Sequence, residues 1–183
     1  MDLLSARSAP LDMPWPTPGR PDGFIRFERP EEWQAFIGGL SIDPFIPDIV
    51  AAKYLRAQRL YLCGWLSADI IKAGELAALV ALELALTDRI GGHYAKSKRS
   101  FAVLLKHLVI HDKLTDDQIP MIVRCGGTAV GQLTGETIPT LAQRRNSLAN
   151  GDPFDGAPVG GLLELVRDLI NFAYRDYIAD ARS

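Results

Sequence analysis

The sequence predicts an all-α fold, a bundle of about five helices behind a proline-rich N-terminal arm. Three observations carry that expectation. Apolar residues recur at helical spacing from Asp48 onward, and Gly91-Gly92 and Asn150-Gly151 stand where helices should stop. The stretch from Glu75 to Arg89 is built largely from Ala and Leu, the strongest helix formers. Six of the 12 prolines crowd into the first 30 residues, where each fixes φ and removes a backbone donor. A chain of 183 residues with 48% hydrophobic and 23% charged side chains fits one globular domain and excludes wholesale disorder, collagen and a disulfide miniprotein.

Residues 1–46 form the expected arm, extended and non-helical over 1–23. Trp15 sits among its prolines. It either anchors the arm, on its own domain or on a partner chain, or rides in a mobile tail. Phe24 to Phe27 alternates weakly like one short strand, and Glu31 to Phe36 reads as a helical turn ended by Gly38-Gly39. Residues 47–183 form the bundle. Pro47 fits a first-turn position, and Ile49, Ala52, Leu55, Leu62 and Leu66 make a stripe at helical spacing. Gly64 weakens that helix without forbidding it. Glu75 to Arg89 is apolar nearly all round, which places it at the centre of the bundle. A third helix spans Phe101 to Ile110. Thr115-x-x-Gln118 has the capping-box pattern, with Pro120 too close behind for a long helix. The glycines at 126, 127, 131 and 135 predict a loop. A fourth helix runs from about Ile138-Pro139 to Ala149, a loop covers 152–158, and an amphipathic last helix spans about Val159 to Ala179. The excess of apolar faces predicts a homodimer.

A net charge of −2 leaves no global basic field for wrapping nucleic acid. No run of 18 apolar residues and no basic-then-apolar leader is present, so the expectation is no membrane contact and a cytoplasmic protein. Cys63 and Cys125 have no metal or redox spacing and read as two buried thiols.

Several segments carry candidate chemistry. Gly126-Gly127-x-x-x-Gly131 has the glycine density of a phosphate loop but lacks its Gly-Lys-Ser/Thr ending and follows no clear strand. His107 and His111 share one helical face, but Leu108 stands where a zincin has Glu; a solvated helix end is the favoured reading, and no metal or other cofactor is expected. His93 reads as a loop residue. Lys96, Lys98 and Arg99, with Lys106, form the densest basic cluster, the one obvious place for phosphate contacts. Glu75 and Glu83 lie about 80° apart on the central helix. If buried they need partners, for which Arg144, Arg145 and Arg167 are the candidates. The most informative segment is Arg144-Arg145-Asn146-Ser147-Leu148-Ala149-Asn150-Gly151. The helix ends near Asn150, where a turn of the backbone can point Arg145 and Asn150 into one cleft; alternatively Asn-Gly is only a C-cap with arginines complementing the dipole.

This segment resembles the signature of the HEPN superfamily, α-helical domains of many prokaryotic toxins and phage-defence proteins, whose motif is Arg, then four to six residues, then His, often written Arg-Asn-x-x-x-His. Arg145-Asn146-Ser147-Leu148-Ala149 matches it, and Gly151 stands where a Gly commonly follows. Ala81 to Leu86 is similar to the buried second helix of such bundles, and the order of elements covers about residues 48–180. Active members are implied to be metal-independent ribonucleases working at a dimer cleft, with the Arg stabilising phosphate charge and the His transferring a proton. Here Asn150 holds the His position, and an amide does not titrate near neutrality. The resemblance therefore implies a catalytically impaired domain that binds RNA, a nucleotide or a protein partner through Arg144, Arg145, Asn146 and Asn150, with Glu83 beside them, in a toxin–antitoxin or phage-defence setting. The alternatives are a ribonuclease with a relocated base and a structural protein that forms a homodimer.

Overall fold

A computed structural model describes residues 9–151 and 157–183; the first eight residues of the arm and most of the loop expected at 152–158 lie outside them. The described residues are mostly helical, with 62% in helices and 6% in strand. The arm is a hairpin rather than a tail. Strand β1 (Leu11–Pro14) pairs antiparallel with β2 (Phe24–Phe27), Leu11 opposite Phe27 and Pro14 opposite Phe24. Helix α1 (Pro30–Gly38) follows, with Pro in its first turn and Trp33 and Ile37 buried.

Five helices of ten or more residues make the bundle: α2 (Asp48–Cys63), α3 (Ile70–Ile90), α4 (Phe101–Ile110), α7 (Leu141–Asn150) and α8 (Leu162–Ala173). Shorter helices α5 (Pro120–Cys125), α6 (Val130–Thr134) and α9 (Arg175–Arg182) fill the gaps. Residues expected as loop at 130–134 are helical, and the last helix breaks at Tyr174 into α8 and α9. Helix α3 is central as its composition predicts, packing against α2, α4, α7 and α8. Gly74 lets α3 approach α2 closely: a Cβ there would lie 2.7 Å from the Tyr61 ring of α2.

The apolar stripe that marks α2 as a helix is not the face it buries. Ile49, Leu55 and Leu66 are 58%, 43% and 54% exposed, while Val50, Tyr54, Ala57, Gln58 and Tyr61 face the core. The tyrosines decide the rotation. They bury more area than a leucine, and the Tyr54 hydroxyl donates to the carbonyls of Leu40 (2.7 Å) and Leu163 (3.2 Å). Cys63 lies on the outward face and is exposed, against the expectation of two buried thiols; Cys125 is buried.

Trp15 resolves onto its own domain. It is buried, makes edge contacts with Trp33, Phe36 and Tyr61, and its indole Nε1–H donates to Glu164 Oε2 of α8 at 2.9 Å. Glu164 also accepts from Arg124 (2.7 and 2.8 Å) and Arg167 (3.2 Å). Arg167 in turn holds Asp168, which accepts the Met121 N–H. Two acids of α8 are thus buried with every charge answered, the condition under which burial is tolerated.

Candidate functional site

Helix α7 carries the predicted site residues, and its start is set by a capping box. The Gln143 N–H donates to Thr140 Oγ1 at 3.1 Å and the Thr140 N–H to Gln143 Oε1 at 2.8 Å. Its end is Gly151 in the left-handed region, φ 70°. Between these caps Arg144 and Arg145 stand about 100° apart around the axis and go to different places.

Arg145 reaches Glu83 of α3. Its Nη2 donates to Glu83 Oε2 at 2.7 Å and its Nη1 to Asn146 Oδ1 at 3.2 Å. Asn146 and Asn150 are exposed. Asn150 is the last residue of the helix, and it does not line the cavity that Gly151 borders.

Arg144 lines that cavity, a space of about 630 Å³ between α3, α7 and the segment entering α8, walled by Lys72, Glu75, Leu76, Arg144, Ser147 and Leu148 among others. The Nε atoms of Arg144 and Arg145 are both buried without a hydrogen-bond partner, but Arg145 has its Nη groups engaged and Arg144 has no ion pair among the described residues. Beneath it Glu75 is fully buried. One Glu75 oxygen accepts the Val159 N–H. The other lies 3.3 Å from Lys72 Nζ without hydrogen-bond geometry, while Lys72 donates to the Ala157 carbonyl at 3.0 Å. Burial pushes the Glu75 carboxyl above its ordinary range, against the pull of Val159, Lys72 and Arg144. Of the three arginines weighed as partners, Arg145 takes Glu83, Arg144 stands near Glu75, and Arg167 belongs to the Glu164–Asp168 network.

The glycine segment does not hold open an anion site. Asp116, inside the capping-box turn Asp116–Gln118, accepts from the N–H groups of Ala129 (2.8 Å) and Val130 (3.1 Å) and from Thr128 Oγ1 (2.6 Å) at the start of α6. Burial alone would raise the Asp116 carboxyl, but these hydrogen bonds leave it below its ordinary value.

His111 stands exposed at the C-terminal end of α4 as expected, and His93 lies in the turn Gly91–His93, but His107 is not solvated. His107 is buried between His93 and His111, ring centroids 5.3 and 4.6 Å away, and shares a 2.8 Å hydrogen bond with the Tyr94 hydroxyl through Nδ1. None of the three lines the cavity. Among the described residues no set of three or more His, Cys, Asp or Glu side chains is placed to hold a metal ion, and no helix is long and apolar enough to cross a membrane.

Sequence reasoning missed Lys72 and the buried acids of α8. Glu164 and Asp168 did leave a signal, because acids four apart with Arg167 between them interrupt an otherwise apolar helix. Lys72 left none, since its role depends on where residues 157–159 pass. Comparison with family models, curated proteins and solved structures finds no match for the chain.

Proposed function

We propose that the chain is a HEPN-like helical domain without catalysis that binds a nucleotide through its anionic group in the cavity between α3 and α7. The observation that carries this reading is Arg144, a guanidinium on the wall of a cavity of about 630 Å³ that none of the ion pairs among the described residues engages. A phosphate accepts from the guanidinium's Nη groups in the planar geometry for which arginine is suited. The Ser147 hydroxyl supplies a further donor, Glu75 offsets the charge from below, and Leu76 and Leu148 offer apolar wall to a base. Arg145, closed onto Glu83, positions α7 rather than the ligand.

The basic cluster bears on the size of the ligand. The cavity uses Lys72 to Leu76 near the start of α3, whereas Lys96 to Arg99 follow its end. Glu75 and Ile90 are separated by about 22 Å of helix. A small ligand therefore fits the cavity better than an RNA strand reaching from one to the other. Asn150 at the His position, and the histidines' place outside the cavity, favour binding over cleavage.

The test is calorimetric titration with nucleoside mono- and triphosphates, under chelation. Arg144→Ala is expected to weaken binding about 10- to 150-fold, the loss of roughly 1.5–3 kcal/mol of charge-assisted hydrogen bonding. Equal affinity in native protein and Arg144→Ala refutes the cavity. RNA cleavage by the native protein refutes the non-catalytic reading, while cleavage appearing only in Asn150→His supports a disabled ribonuclease site. A second reading, a homodimer, is favoured by the outward side of α2, where Ile49 and Leu55 stand exposed, with Leu66 exposed in the turn that follows. A monomeric mass by light scattering at micromolar concentration refutes it.

A further inference from the structure

From Arg89 to His111 the chain carries five cations, all three of its histidines and no Asp or Glu, within a protein of net charge −2. The fold concentrates this segment at one place. The turn Gly91–His93 and the turn Lys96–Lys98 lead directly into α4, and His93 comes back to stack on His107. Among the described residues no carboxylate lies within ion-pair distance of Lys96, Lys98, Arg99 or Lys106. Arg99 gives Nη2 to the Tyr94 carbonyl at 3.1 Å and keeps a buried Nε without a partner. His93 and His111 are exposed, one on each side of the buried His107.

We propose that this face is a second binding site, for single-stranded nucleic acid, and that it tightens as the pH falls from about 7.5 to about 5.5. Unpaired cations beside exposed ring faces are the two components of single-strand recognition: the cations follow the backbone and the rings stack on bases. An acidic protein partner would use the cations and leave the imidazole faces idle. Histidine is the side chain that gains charge between about pH 8 and pH 5, so the face becomes more positive in that range.

The charges facing the stack are few. Asp112 lies 3.7 Å from His107 Nε2, and Tyr94 holds Nδ1. Lys106 and Lys113 flank the stack on its own helix and the turn after it, and the Lys113 Nζ donates to the Ile110 carbonyl. Of the helices packed on α4, α6 has no ionisable side chain. The charged groups of α3 and α7 are engaged elsewhere: Glu83 with Arg145, Asp88 with the Tyr174 hydroxyl, Arg89 with the Ala173 carbonyl, and Lys72, Glu75 and Arg144 at the cavity. Burial, with His111 and His93 adding to it against Asp112, holds His107 below the ordinary histidine value.

Fluorescence anisotropy with labelled oligouridylate and oligothymidylate of about 20 nucleotides tests this at fixed ionic strength, at pH about 7.5 and about 5.5. The expected result is affinity rising about tenfold at the lower pH, with a steeper salt dependence from the added phosphate contacts. His93→Gln/His111→Gln should abolish the rise, and Lys96→Glu/Lys98→Glu should weaken binding at both pH values. All four side chains are exposed, so the variants should fold, which circular dichroism checks. Native affinity that does not change with pH, or the same rise in the double histidine variant, overturns the proposal. Inorganic polyphosphate binding as tightly as the oligonucleotides overturns the role of the bases. Preference for one sugar over the other then tells RNA from DNA.

Discussion

Replacing Arg145 by Ala separates a positioning role from a binding one. The Arg145 and Glu83 side chains are 32% and 27% exposed and meet at 2.7 Å. A fully exposed pair is worth about 0.2–1 kcal/mol, and breaking a fully buried one costs about 3–5 kcal/mol. With about a third of each side chain in water, the pair belongs near the lower figure, and truncation should cost about 1–1.5 kcal/mol. For a chain of this size that lowers the thermal midpoint by about 2–6 °C. A double-mutant cycle with Glu83→Gln should return a coupling of about 0.5–1 kcal/mol. Nucleotide affinity, measured by titration well below the midpoint, should fall less than threefold, against the 10- to 150-fold loss expected of Arg144→Ala. The reverse pattern, binding lost with Arg145→Ala and kept with Arg144→Ala, would falsify the placement of the ligand on Arg144.

Three further outcomes follow from named contacts. Gly74→Ala should lower the thermal midpoint even though Ala is the better helix former by about 0.8–1.0 kcal/mol, because its Cβ meets the Tyr61 ring at 2.7 Å and overpacking costs about 1–3 kcal/mol; a raised midpoint shows that the ring yields freely. Trp15→Phe keeps an aromatic ring but removes the donor to Glu164, and should cost about 1.5–3 kcal/mol and expose the hairpin to limited proteolysis; an unchanged cleavage pattern would count against the anchor. Asp116 is held below its ordinary value, so its contribution is present above the unfolded aspartate value of about 3.9 and is lost as pH falls through the folded one. Asp116→Asn should therefore destabilise at neutral pH and much less near pH 2, as read by urea unfolding at both; an equal loss at both contradicts the linkage.

The parts legible in the sequence are those written in local chemistry. Phe101 to Ile110 was readable to the residue because Ser100 and a dense apolar run bound it. The Thr115-x-x-Gln118 box forms as its pattern requires, and Gly151 stops α7. What was not legible depended on partners distant in sequence. The rotation of α2 is decided by carbonyls at Leu40 and Leu163, which no periodicity within residues 48–63 contains. The split between Arg144 and Arg145 follows from two adjacent positions on a helix, but which of them meets an acid depends on how α3 crosses α7. The capping box at Thr140 and Gln143 was present in the sequence and was obscured by Pro139, which marks a helix start two residues too early.

The indole bond from Trp15 to Glu164 joins residues 149 apart, and this sets an order of events during synthesis. At about 5–20 residues per second, roughly 7–30 s pass between the appearance of the two partners on a ribosome. Through that interval the hairpin and α1 have Trp15, Trp33 and Phe36 to pack against one another and no α8 to close over them. A segment made early is thus sealed by one made much later. The nascent chain carries an uncovered aromatic cluster until α8 arrives.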